Sequence, residues 1–173
     1  MNDPRPLKIL VTGGSRSGKT RFALARAEEL APERTYLATA EGWDDEMKAR
    51  IGRHQQERGP SWTTIEEPLE VESLLDRPGV LLLDCLTLWV SNLLGAHGMD
   101  ADLHPRISRF VSAFAAASGT VILVTNEVGM GLVPETPLGR RFRDWSGILS
   151  QEAAQVADAV YLLCAGLPLR IKG

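Results

Sequence analysis

Residues Gly13-Gly14-Ser15-Arg16-Ser17-Gly18-Lys19-Thr20 follow the pattern G-x-x-x-x-G-K-[ST], and each residue type in that spacing has a task. Glycines let the backbone curl until successive N–H groups point at one anion. A helix beginning just after the loop adds its positive N-terminus to the same anion. The Lys19 ammonium then reaches the β- and γ-phosphates of a nucleoside triphosphate, and the Thr20 hydroxyl holds Mg²⁺. Gly13, Gly14, Ser15, Arg16, Ser17, Gly18, Lys19 and Thr20 are therefore candidate nucleotide-binding residues. Lys19 is also a candidate catalytic group and Thr20 a candidate metal ligand, with Mg²⁺ arriving together with ATP or GTP as substrate.

Other groups could complete such a site. Val80-Leu81-Leu82-Leu83-Asp84 is an apolar run ending in an acid, which suits Asp84 to help hold the Mg²⁺. Glu127 follows a second apolar run and is a candidate substrate ligand or base. It would stand where ligands of open α/β sheets bind, outside the carboxyl ends of the strands. Arg140, Arg141 and Arg143 open a helix, where the dipole disfavours cations. They read either as phosphate ligands or as a solvated face with Arg140 paired to Asp144. Among the histidines, His97 and His104 flank a loop and receive no role. His54 shares one helical face with Met47 and Ile51, by itself a structural pattern.

The elements needed to position these groups are legible as periodic runs. Short apolar strands are expected at 7–12, 35–38, 62–65, 80–84, 120–125 and 159–163, with an edge strand at 169–172. Helices are expected at 19–30, 44–58, 86–94, 105–117 and 138–157, the second stopped by Gly59-Pro60. Strands alternating with helices predict an α/β fold with a mainly parallel sheet covered on both faces, a P-loop nucleotide-triphosphate hydrolase-like fold.

With 173 residues and no repeat or composition shift, one domain spanning 1–173 is expected. Hydrophobic content of 44% and charged content of 24% suit a globular enzyme. A net charge of −3 argues against a nucleic-acid partner. No apolar stretch approaches the ~18 residues of a membrane span. Nor does the polar, proline-containing start resemble a signal peptide, so a cytoplasmic location is expected. Cys85 and Cys164 each follow an apolar run and are expected as buried thiols. A GTP-binding switch would carry Asn-Lys-x-Asp after a late strand, whereas this chain has Asn126-Glu127-Val128-Gly129. The alternative that remains is a P-loop kinase of another small alcohol.

From about Ile9 to Lys172 the chain resembles the bifunctional adenosylcobinamide kinase/adenosylcobinamide-phosphate guanylyltransferase family of cobalamin biosynthesis. The matching segments are GGSRSGKT; Leu37-Ala38-Thr39-Ala40; Asp44 to Met47 with Arg50, Ile51 and His54; Trp62 to Pro68; Leu83 to Thr87; Thr125 to Glu135; and Arg140 to Asp144. The resemblance implies phosphorylation of adenosylcobinamide by a nucleoside triphosphate. It also implies GMP transfer from GTP onto adenosylcobinamide phosphate through a GMP–histidine intermediate, for which His54 is the matching position. Some members carry two adjacent histidines where this chain has Arg53-His54. The resemblance further implies a guanine-nucleotide site drawing on Ala38, Thr39, Ala40, Gln55, Gln56, Glu57, Arg58, Asp84 and Glu66 (or its neighbour Glu67), and a homotrimer. At ~1.5 Å per residue His54 would lie roughly 15 Å along its helix from Asp44. That distance raises the expectation of a helix that moves when GTP binds, or that serves a nucleotide site shared with a neighbouring subunit.

Overall fold

The computed structural model describes residues 5–40 and 61–173; the expected helix 44–58, and with it His54 and Gln55 to Arg58, lies outside the described residues. In chain order the elements are β1 (Lys8–Gly13), α1 (Lys19–Leu30), β2 (Arg34–Ala38), β3 (Trp62–Glu66), a 3-10 turn (Val71–Leu74) and β4 (Val80–Asp84). These are followed by α2 (Leu86–His97), α3 (His104–Ala116), β5 (Thr120–Val124), α4 (Pro137–Val156), β6 (Ala159–Cys164) and β7 (Leu167–Lys172). Among the described residues seven strands form one sheet, in the order β3-β2-β4-β5-β1-β6-β7. Every neighbouring pair is parallel except β6–β7, an antiparallel hairpin. The sheet is thus the expected mainly parallel one, with a single reversed edge strand.

Strand side chains alternate between faces, and the apolar runs exploit both. Ile9, Val11, Leu82, Ile122 and Val124 join one core cluster with Ala23, Leu24 and Ala27 of α1. Leu10, Leu81, Leu83, Val121 and Leu123 join the other, packed under Trp89, Phe110 and Leu149 of α2, α3 and α4. Continuous hydrophobic runs in β1, β4 and β5 are therefore strands buried on both sides, as parallel sheets require.

Two expectations fail here. Cys85 is buried, but Cys164 is exposed. It ends β6 where the chain turns through Ala165-Gly166 into β7, whose six residues are all exposed. An apolar run preceding a cysteine therefore did not guarantee a covered thiol at the sheet edge. The Arg140–Asp144 pair does not form either. Arg140 instead bonds the carbonyls of Pro134 and Glu135, and the acid lies nearest Arg143, at 3.6 Å.

Candidate active site

The loop 13–18 joins β1 to α1 at the carboxyl edge of the sheet. Two of its glycines are required by the path. Gly13 has φ +150, and a Cβ there would run into the Leu163 carbonyl of β6. Gly18 has φ +93 and lies against Gly166 of the β6–β7 turn, where a Cβ would come within 3.3 Å of the Gly166 Cα. The Gly166 N–H donates to the Ser17 carbonyl at 3.0 Å, so the hairpin turn braces the loop from below. Gly18 is the N-cap of α1, with no side-chain cap bond and no acid in the first turn. The amides at the start of that helix are thereby left for an anion.

Lys19 is buried, its ammonium donating to the Gly14 carbonyl at 2.6 Å and lying 3.5 Å from Ser17 Oγ. It is folded over the concavity that its own loop forms. Next to it, the Thr20 hydroxyl donates to Asp84 Oδ2 at 2.8 Å. The strand order explains how these two meet. Only β5 separates β1 from β4, so the acid at the tip of β4 faces the first turn of α1. A hydroxyl and a carboxylate oxygen at hydrogen-bond distance are the hard donors that Mg²⁺ prefers. The residues present therefore fit the cation. Among the described residues no group of three or more His, Cys, Asp or Glu gathers as a metal cage.

Tyr36 is a site residue that the sequence reading missed. Its hydroxyl donates to the same Asp84 Oδ2 at 3.0 Å, while its ring is buried among the apolar side chains facing α1. Two donors on one oxygen fix the rotamer of the carboxylate. The only signal available was a polar-tipped aromatic inside a strand, and nothing in the chain order ties it to an acid 48 positions later.

The segment 38–40 is positioned differently from the P-loop. Thr39 is fully buried. Its hydroxyl donates to the Cys85 carbonyl at 2.8 Å and accepts from the Cys85 N–H at 2.9 Å. Its own N–H bonds the Asp84 carbonyl, and its carbonyl receives Asn92 Nδ2. Thr39 thus locks the backbone after Asp84, across a peptide that is cis between Asp84 and Cys85. Ala38 sits opposite Asp84 in one register and opposite Glu66 in the other. Glu66 is exposed at the tip of β3, whereas Glu67 uses Oε1 to accept the Leu69 and Glu70 amides.

Glu127 stands directly beside the loop, its N–H donating to the Gly13 carbonyl at 2.9 Å and its Oε1 accepting the Gly129 N–H at 2.7 Å. Asn126 turns away and donates to Thr87. The three arginines are engaged by the chain itself. Arg140 holds the Pro134 and Glu135 carbonyls, Arg141 the Asp100 carbonyl, and Arg143 lies beside Asp144. His104 packs edge-on against Trp145.

Comparison with known proteins gives a consistent result. A sequence model of the family described as cobinamide kinase / cobinamide phosphate guanyltransferase matches residues 9–171. The bifunctional adenosylcobalamin biosynthesis protein CobU of Escherichia coli is 40% identical over 182 residues, covering 96% of this chain and 100% of that protein. The bifunctional adenosylcobalamin biosynthesis protein CobP of Pseudomonas aeruginosa is 39% identical over 171 residues, covering 96% and 98%. Among solved structures, a prototypical ATPase from a bacterial type III secretion system superposes with a TM-score of 0.55 at 11% identity, over 90% of this chain and 50% of that one. The assembled ATPase EscN from the type III secretion system of enteropathogenic E. coli superposes with a TM-score of 0.51 at 13% identity, over 92% and 43%. At such identities these structures speak for the fold alone, a P-loop ATPase sheet.

Proposed function

The chain belongs to the cobinamide kinase / cobinamide phosphate guanyltransferase family, and on that premise we propose that it catalyses two successive transfers. It phosphorylates the aminopropanol hydroxyl of adenosylcobinamide with ATP or GTP. It then moves GMP from GTP onto that phosphate, releasing pyrophosphate and giving adenosylcobinamide-GDP. The observation that carries the reading is the Thr20–Asp84 contact beside the buried Lys19. That geometry suits a metal-bound triphosphate, in a chain matched to the family almost end to end.

In the first transfer the acceptor oxygen attacks the γ-phosphorus, the bond to the β–γ bridging oxygen breaks, and Glu127 receives the hydroxyl proton. Gly13 to Gly18 and the start of α1 hold the phosphates, and Lys19 leaves the Gly14 carbonyl to neutralise charge on the transferred group. Thr20 and Asp84 would hold Mg²⁺, which when bound would supply Lewis-acid neutralisation of the phosphate oxygens. Tyr36 keeps Asp84 aimed throughout.

In the second transfer His54, outside the described residues, is the nucleophile. Its imidazole nitrogen bonds to the α-phosphorus as pyrophosphate leaves, and the acceptor phosphate then displaces the histidine. The guanine nucleotide is held by Ala38 to Ala40, Gln55 to Arg58, Asp84 and Glu66. Glu66 is chosen over Glu67 because the Glu67 carboxylate is occupied within its own turn. Thr39 contributes through its backbone path. The family resemblance also carries a homotrimer, which light scattering on the purified chain checks.

GTP labelled at the α-phosphate, followed by mass measurement of the intact chain, tests the histidine step. Wild type gains one GMP. His54→Ala gains none and still phosphorylates cobinamide. Undiminished GMP transfer by His54→Ala sinks the assignment.

A further inference from the structure

The segment from Val128 to Thr136, which leaves β5 beside the P-loop, combines two properties that rarely coincide. Its side chains are apolar and open to solvent: Met130 is 82% exposed, Leu132 96% and Val133 65%, with Leu138 just beyond at 49%. Yet its backbone is fastened. Glu127 anchors the near end through the Gly13 carbonyl and the Gly129 amide. Arg140 reaches back from α4 to bond the Pro134 and Glu135 carbonyls, and the Thr136 hydroxyl accepts the Gly139 N–H at the helix cap. An ordered arch that displays a cluster of large apolar side chains marks a binding surface, because folding gains nothing from exposing them. A surface held in place beforehand also loses less ordering entropy when it binds.

We propose that Met130, Leu132 and Val133 form the shelf on which the corrin ring of the acceptor rests, placing the aminopropanol arm over the P-loop. This rests on the function proposed above. The occupant follows from position and charge. The arch springs from the residue bonded to Gly13, so whatever accepts a phosphoryl group there must stand over it. Between Val128 and Pro134 it carries no charged side chain. That matches a ring whose rim alternates methyl groups with neutral amides. Gly131 has no neighbour within 4 Å of where a Cβ would be, which leaves its backbone open to the amide arms. Methionine adapts its shape to an irregular rim. Arg140 is a positioning residue in this scheme, acting through the arch it holds.

The variants Met130→Ser, Leu132→Ser and the double variant test the shelf in the full-length enzyme, with cobinamide and with a ring-free aminopropanol amide as alternative acceptors. Each single change is expected to raise the KM for cobinamide about tenfold, the loss of one buried apolar side chain, with the double variant weaker again and kcat little changed. Phosphorylation of the ring-free amide, GTP affinity by calorimetry and mass by light scattering should stay as in wild type. An unchanged cobinamide KM in the double variant overturns the proposal. So does an equal loss with the ring-free acceptor, or a change in mass, which would make the arch a contact between copies. If the wild type itself transfers no phosphate to cobinamide, the function reading falls and the shelf falls with it.

Discussion

The two edges of the sheet use the same kinds of residue for opposite ends. At the amino edge, Lys8 is buried with its ammonium donating to the Ala117 and Gly119 carbonyls, both at 2.9 Å. Asp158 accepts the Lys8 backbone N–H, and Asp76 accepts the backbone and hydroxyl of Ser118. These charges close the ends of α3 and the strand entries. At the carboxyl edge, Lys19 lies against a carbonyl of its own loop and a distant hydroxyl, and Asp84 accepts the hydroxyls of Thr20 and Tyr36. In the proposed kinase step such contacts exchange for phosphate and Mg²⁺. Lys8, surrounded by helix-end carbonyls, is a structural pin, whereas the proposed function makes Lys19 a reagent.

Removing each lysine separates the two roles. Lys19→Ala should lower kinase turnover by roughly 10²–10³, the cost of losing one stabilising donor, while thermal unfolding moves little. Near-normal turnover in the folded variant would mean that the loop has been misread. Tyr36→Phe should come next, reducing kcat/KM for the Mg²⁺–nucleotide roughly ten- to a hundredfold, in line with ~1.5–3 kcal/mol for a bond to a charged group. Weaker Mg²⁺-dependent nucleotide binding, read by calorimetry, would accompany it. If binding and turnover both match wild type, Tyr36 is a core residue only.

Lys8→Met should leave both activities intact and lower stability by about 1–3 kcal/mol, the cost of orphaned carbonyls. At ~2–4 °C per kcal/mol this is visible in a melting curve. A fall in kcat would erase the distinction between the edges. The smallest effect concerns pH. Burial holds the Lys8 ammonium below its ordinary value, with Asp158 and Asp76 opposing. The unfolded chain therefore binds more protons there than the folded one. Between the lowered value and 10.5 this term makes stability rise with pH. The stability advantage of wild type over Lys8→Met should accordingly widen as pH climbs through that window, and a narrowing would contradict it.

What could be read from sequence was what is local. The P-loop declares itself in eight consecutive residues, and β1, β4 and β5 announce themselves because burial on both faces leaves no polar alternation. Asp84, which meets Thr20, stands out in the sequence because it ends such a run. Tyr36 does not, because its partner is brought near only by the crossing from β2 to β4. Thr39, expected at the nucleotide, has its hydroxyl, N–H and carbonyl bonded to Cys85, Asp84 and Asn92, contacts that no local pattern announces. Arg140 reads either as a phosphate ligand or as a helix-surface charge, and its side chain bonds the carbonyls of the loop that precedes it. The Val71–Leu74 turn, pinned by Glu72 to Arg106 and Arg109, went unforeseen since both arginines lie on α3.

The placement of β1 has one more consequence, for the order in which the protein can mature. Leu10 pairs with Leu123 on one side and Val160 on the other. β1 thus waits for partners translated long after it. Until the segment 159–166 has left the ribosome, the P-loop lacks both the strand beside it and the turn beneath it. Such long loop closures slow folding. A nascent chain halted before residue 159 should bind no nucleotide, so this enzyme's competence waits on synthesis of the β6–β7 hairpin.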